Sequence, residues 1–324
     1  LLVTVDVSGL AAGEYSGVVE LDSGSFHFAL PVTLELFEME LTKMVTDYER
    51  PYIYAIHRGS GSFADAFLLF INTQTERIEK VIPIGTNPTD LTISYGEGRL
   101  YVSNWGQPFT RVVDLARQEE IAPLALGTDV FKLNAGRPGR LYYEEEDQWI
   151  DIHIINTQTA AEVGGFFTRE GDGEIDPTGS YYYHSDNNIS NAHITKYDIR
   201  TDQVVLRKTS LEHPYGSRNL LMSGDGSRLF WRGYIYDGDL NELGSLGEEI
   251  YATTLHGDLA FSSSRVYNAR TGDAIFTLPV QSSVLAVSGD QSKLFLFDGQ
   301  SGELVVVPTS EIAEIPGPGL NPEP

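Results

Sequence analysis

The chain has 324 residues and carries 22 basic against 46 acidic side chains, a formal net charge of −24, with no cysteine. Such a surplus of negative charge repels a nucleic-acid backbone or an anionic bilayer, and the lack of thiols removes disulfide scaffolds, cysteine catalysis and cysteine-ligated metals. A hydrophobic content of 41% suffices for a buried core, while no apolar run is long enough to span a membrane as a helix.

The sequence starts at Leu1 inside a strand-like pattern with no signal peptide, so we read it as a processed or excised piece of a longer chain. Residues 1–37 alternate apolar and polar positions at Val3, Val5 and Val7, again around Val18 and Glu20, and a third time from Phe26 to Leu36. Turn residues Asp22, Ser23 and Gly24 separate the last two runs. Alternation with period two broken by Gly and Ser predicts three strands. Three strands are too few to close a sandwich core, so a short β-sandwich fragment is expected.

From about residue 42 a repeat takes over. Strands end on Asn or Asp at Asn72, Asp114, Asn156, Asp198, Asp237, Asn268 and Asp298, with spacings of 42, 42, 42, 39, 31 and 30 residues. Short Asn and Asp side chains suit such corners because they cap neighbouring amides and tolerate left-handed φ. Upstream of five of them sit the turns Gly96–Gly98, Pro138–Gly139, Thr178–Gly179, Asp225–Gly226 and Gly257–Asp258, each between two apolar runs. A period near 40 built only of strands predicts an all-β, seven-bladed β-propeller over 42–316, with blades near 43–85, 86–127, 128–170, 171–216, 217–248, 249–280 and 281–316. Two readings of the last blade stay open. Either Asp298 ends its second strand and Ile312–Ile315 supplies the fourth, or a strand is borrowed from residues 33–41. Residues 317–324 read as a Pro-rich linker.

Two resemblances follow from these residues. The segment with Gly13, Tyr15 and Gly17 ahead of the strand Pro31–Leu34 resembles the closing half of BACON-like and related immunoglobulin-like modules of secreted bacterial proteins. Residues 80–106, with Gly85, Pro88, Tyr101, Val102 and Asn104, resemble the YVTN-type propeller repeat. That resemblance implies a bacterial propeller of an exported or cell-surface protein, and it brings no shared catalytic set.

Propeller chemistry lives in the loops over the channel, so candidates come from there. Glu170–Asp176 is read as an acidic loop in which Asp172 and Glu174 suit calcium, although the EF-hand spacing is absent. Glu144 to Asp147, followed by Trp149, lies between the second and third strands of blade 3 and offers a cation or basic-partner site with a stacking ring. Asn104–Trp105 and Trp231–Arg232 share that loop class in blades 2 and 5, where rings beside amides suit a glycan unless the Trp side chains wedge between blades. Asp186, Asn187 and Asn188 add polar groups in blade 4, and His213 and Tyr215 occupy the connection from blade 4 to blade 5. No His-Glu-x-x-His or Gly-x-Ser-x-Gly pattern occurs. The first expectation is a non-enzymatic binding or scaffold module, a monomeric propeller in a larger extracellular, surface or periplasmic chain, engaging a protein or carbohydrate. The alternative is a propeller hydrolase, lactonase or lyase acting over the channel, with or without a metal.

Overall fold

The computed structural model describes residues 13–24, 26–36, 39–59, 66–126, 130–187 and 189–312. The expected strand at Val3–Val7, Asn188 and the segments 313–315 and 317–324 lie outside the described residues. The chain divides into two compact units, Leu1–Glu40 and Leu41–Pro324. In the first, Gly13–Ser23 and Phe26–Leu36 form an antiparallel ribbon in continuous register from Gly13 opposite Leu36 to Ser23 opposite Phe26.

The second unit is built of seven sheets, each an antiparallel meander. Blade 1 comprises Leu41–Thr46, Tyr52–His57, Ala66–Asn72 and Arg77–Gly85. Blade 2 comprises Pro88–Ser94, Arg99–Asn104, Phe109–Asp114 and Glu119–Ala125. Blade 3 follows with Lys132–Ala135, Arg140–Glu144, Trp149–Asn156 and Glu162–Arg169. Blade 4 has Gly171–Ile175, Tyr181–Asp186, Ile194–Asp198 and Val205–Thr209. Strands shorten in blade 5 (Leu220–Met222, Arg228–Trp231, Tyr234–Asp237, Glu242–Ser245) and blade 6 (Ala252–Thr253, Leu259–Phe261, Arg265–Asn268, Ala274–Thr277). Blade 7 has three strands among the described residues, Leu285–Val287, Lys293–Asp298 and Glu303–Pro308.

The first strand of each blade meets the first strands of its neighbours, and Leu285–Val287 meets Leu41–Thr46, so the ring closes. At that seam the Thr46 hydroxyl donates to the Val287 carbonyl at 2.7 Å. Lys293 Nζ donates to the Thr73 carbonyl at 2.9 Å and pairs with Glu76 at 2.7 Å. Gly289 allows the close approach, since a Cβ there would stand 2.4 Å from the Asp47 carbonyl oxygen.

The core lies between blades rather than within them. In Arg99–Asn104, Leu100 and Val102 pack with Tyr54, Ile56 and Phe70 of blade 1, while Tyr101 turns the other way to join Leu133, Leu141 and Tyr143 of blade 3. The same alternation puts Phe230 and Ile235 against Ala260 and Tyr267, and Phe261 and Val266 against Leu285 and Leu294. Each sheet has two apolar faces that only its neighbours cover, so the seven-bladed propeller holds together as a ring.

The Asn and Asp corners are Asx turns. Asn72 Oδ1 accepts from the Gln74 and Thr75 amides at 2.8 and 3.0 Å, Asp114 from Ala116 and Arg117 at 2.9 Å each, and Asp237 from Asp239 and Asn241 at 2.9 and 2.8 Å. Six of the seven corners close the third strand of a blade; Asp298 closes the second. Asp298 therefore ends the second strand of the last blade, as the first reading has it.

Candidate functional site

In a ring of four-stranded meanders, the loops from strand two to three and the connections from strand four to the next blade share one rim, here called the upper face. The turns from strand one to two and from three to four occupy the other.

On the upper face the candidate residues divide into buried and exposed sets. Asn104 is buried, and its amide donates to the Ile84 and Thr86 carbonyls at 2.8 Å each, stapling blade 2 to the end of blade 1. Glu144 is buried with His184, Oε2 to Nε2 3.4 Å, and the other ring nitrogen meets the Thr168 hydroxyl at 3.1 Å. Asp186 lies 3.2 Å from His193 Nδ1 and accepts from the His193 amide. Asn187 donates to Glu170 Oε1 at 2.9 Å, and Glu170 pairs with Arg218, which also reaches Glu146 at 3.6 Å.

His213 is buried against Tyr234 and Trp231, with Nε2 2.7 Å from the Tyr236 hydroxyl. Burial holds its imidazole below the usual value, the Arg232 charge adding to this and Glu242 opposing it. Trp231 sits in the cluster between blades 4 and 5, and its Nε1 donates to the Ser217 carbonyl at 3.1 Å. The Trp231 ring is thus an inter-blade wedge and not a glycan platform.

Three rings stand outside. Trp105 is 48%, Trp149 55% and Tyr215 71% exposed. Trp149 stacks on exposed Phe167, centroids 6.0 Å apart and planes 9° apart, with the Arg169 guanidinium 5.3 Å from its ring centre. Beside it Glu146 and Asp147 face solvent, Asp147 accepting the Gln148 amide at 2.6 Å.

The segment Glu170–Asp176 is not a loop: Gly171–Ile175 is the innermost strand of blade 4. Alternation explains the Gly-Asp-Gly-Glu pattern. Asp172 and Glu174 line the channel, and Gly173 faces the sheet, where a Cβ would stand 2.0 Å from the Tyr182 hydroxyl. The channel encloses about 720 Å³ and is lined by the innermost strands of all seven blades.

Its charged groups form two linked staples that sequence reasoning missed. Lys43 of blade 1 pairs with Asp90 of blade 2, whose other oxygen accepts the Leu133 amide of blade 3 at 2.9 Å. Lys132 of blade 3 pairs with Asp172 of blade 4, whose other oxygen accepts the Leu220 amide of blade 5 at 3.0 Å. The signal was present: Lys43, Asp90, Lys132 and Asp172 recur at spacings of 47, 42 and 40 residues, close to the blade period. Burial pushes the Lys43 ammonium down, but Asp90, Asp172 and Glu174 outweigh it and hold the group above its usual value.

Asp172 is thus spent on Lys132 and two amides, and Glu144, Asp186 and His213 do not line the channel with it. Among the described residues no three imidazoles or carboxylates converge as metal ligands.

Comparison with known proteins agrees with this architecture and goes no further. No family model matches the sequence, and no curated protein matches it. Solved structures do. A chain of Kuenenia stuttgartiensis hydrazine synthase superposes with a TM-score of 0.65 at 16% identity, covering 83% of this chain and 95% of its own. The structure of U3-55K gives 0.63 at 12%, covering 84% and 96%. The Cps50 (Swd1) β-propeller domain of Myceliophteria thermophila gives 0.63 at 11%, covering 84% and 98%. At these identities the likeness establishes the fold, a seven-bladed β-propeller, alone.

Proposed function

We propose that this propeller is a non-enzymatic recognition scaffold that docks a partner protein on its upper face. One observation carries the reading. Trp105, Trp149 and Tyr215 are exposed on the rim where the imidazoles and most carboxylates behind them are already paired. Exposed aromatic anchors with a polar surround are the usual centre of a binding surface. Glu146, Asp147 and Glu212 on the same rim, within a net charge of −24, favour a basic segment of the partner. The likeness to WD40-repeat propellers, RRP9 among them, fits such a scaffold.

A glycan is the second reading, favoured by the parallel Trp149 and Phe167 rings, which offer the flat apolar face a sugar ring packs on. In either case we place the chain in an exported surface protein of the YVTN-repeat kind with an immunoglobulin-like module ahead of it, and calcium at Asp172 and Glu174 would have to displace Lys132 from Asp172. The hydrolase, lactonase or lyase alternative requires acid and base to converge on one substrate, whereas here His184, His193 and His213 each pair within a different environment.

The test is binding of the full chain to arrays of basic peptides and of glycans, alongside a variant with Trp105, Trp149 and Tyr215 all changed to Ala. The scaffold reading expects capture that the variant loses by tenfold or more, about 1.4 kcal/mol. Undiminished capture by the folded variant would discard the upper face. Melting curves with and without chelator test calcium separately, and coincident curves remove it.

A further inference from the structure

Among the described residues, blade 7 stops one strand short of its neighbours, and Glu303–Pro308 is its outermost strand. At Thr309 the chain leaves that edge and turns inward. The Thr309 amide donates to the Ser292 carbonyl at 2.9 Å, its hydroxyl donates to the Gln291 carbonyl at 2.7 Å, and Ile312 packs into the core between blades 6 and 7. The side chains register the gap. In blade 6 the third-strand residues Val266 and Tyr267 are buried behind Ala274–Thr277, whereas Leu304, Val305 and Val306 at the matching place in blade 7 are half-buried. The backbone adds polar groups to this apolar edge, because antiparallel partners alternate between bonded and non-bonded pairs. Thr309 bonds to Ser292 opposite it, and the Phe297 amide turns the other way to the Val284 carbonyl at 3.0 Å. Leu304 and Val306, opposite Phe297 and Phe295, are therefore non-bonded positions whose N–H and C=O groups point to the outer edge.

We propose that this edge is a docking site for an extended, basic segment of a partner protein, which adds as an antiparallel fourth strand and completes blade 7. Such an edge supplies main-chain hydrogen bonds for affinity and alternate side-chain positions for specificity. The outer strands of the other blades show what fits. In blade 1 Ile82 and Ile84 are buried with Val81 and Pro83 beside them exposed, and in blade 2 Leu124 is buried between exposed Pro123 and Ala125. The occupant therefore carries an apolar residue at alternate positions over four to nine residues, the lengths of the six outer strands. Charge selects the rest. From Gly289 to Ile312 the chain has Asp290, Asp298, Glu303 and Glu311 against Lys293 alone, and Lys293 is held by Glu76. The same acidic surround, within a net charge of −24, disfavours a second copy of this chain at the edge. The edge lies apart from the upper-face surface and does not depend on it.

The experiment is fluorescence anisotropy of the full chain with a short labelled peptide of alternating lysine and valine, against glutamate–valine and lysine–serine peptides. The expected result is saturable binding of the lysine–valine peptide, weakened by about tenfold or more in either control. N-methylation of one alternate set of its amides should abolish binding and methylation of the other set should leave it, since only one set faces the edge. Val306→Pro removes an outward N–H at a position that donates nothing to Lys293–Asp298, a substitution that an edge strand tolerates, and should weaken binding by about tenfold. Near-ultraviolet circular dichroism reports that the variant is folded, and the methylated peptides read the same contact without altering the protein. No saturable binding, equal effects of the two methylated sets, or unaltered binding by folded Val306→Pro would each overturn the proposal. Loss of the peptide in the Trp105, Trp149 and Tyr215 variant with retention in Val306→Pro would place it on the upper face and overturn the proposal too. So would sedimentation showing a dimer that Val306→Pro disperses, since the edge would then belong to a second copy.

Discussion

Blades 1 to 4 and blades 5 to 7 solve the same geometric problem with different amounts of chain. In the first group most strands run from five to nine residues, and the third-strand corners fall 42 residues apart. In the second, strands shrink to as few as two residues and the spacing falls to about 30. The channel wall changes with them, from the Lys–Asp staples of blades 1 to 4 to a lining of Thr253, Ser283 and aliphatic residues in blades 6 and 7. What does not change is the packing sideways: a buried aromatic such as Phe70 or Phe261 meets the neighbouring blade in both groups. The lesson is that ladder length is dispensable in a propeller, whereas inter-blade contact is not.

The largest expected effect tests that statement directly. Phe70→Ala in blade 1 and Phe261→Ala in blade 6 both empty fully buried positions, and each should cost about 3–5 kcal/mol in urea unfolding. One shared transition is expected; a separate, earlier transition reporting blades 5 to 7 would break the comparison. Asp172→Ala comes next. It strands the partly buried Lys132 ammonium and the Leu220 amide, for a loss of about 2–3 kcal/mol. Thr253→Ala on the neutral wall removes one hydrogen bond to the Leu259 carbonyl and should cost about 1 kcal/mol.

Corner substitutions sharpen the picture at smaller scale. Asp114→Ala and Asp237→Ala each leave two capped amides without their acceptor, worth about 1 kcal/mol by analogy with helix caps. Asp237→Ala should cost slightly more, because Asp237 also accepts the Asn241 side-chain amide at 2.8 Å. The smallest effect is one of pH. The imidazole of His213 titrates below its unfolded value of 6.5, so the unfolded chain takes up the proton first. Stability should therefore decline as pH falls from about 6.5 through the folded value, then stop declining. Thermal melts of wild type and His213→Asn isolate that slope from the opposite one expected of Glu174, whose carboxyl burial pushes up to about 8, and a difference between the two that stays constant across the window would refute the assignment.

Much of this was legible before any coordinates. Periodicity of Asn72, Asp114, Asn156 and Asp198 reports the turn chemistry of a repeated hairpin, which is local and so survives in sequence. The seventh corner shows the limit of counting: Asp298 has the same turn chemistry as its six relatives but closes a different strand, because an Asx turn knows its own amides and not its place in a sheet. Trp231 and Trp105 read alike as sequence, both placed in the loop after a blade's second strand, yet Trp231 ends that strand and is 1% exposed while Trp105 lies just beyond it and is 48% exposed. That difference belongs to the neighbouring blade.

The sequence by itself determined the element type, the repeat and the closing tally, since alternation, turn residues and spacing are properties of contiguous chain. Only the tertiary structure decided which charges meet. Lys43 and Asp90 are 47 residues apart, and Lys132 lies 86 residues from the Arg218 carbonyl it reaches. Such partners are set by how the ring closes.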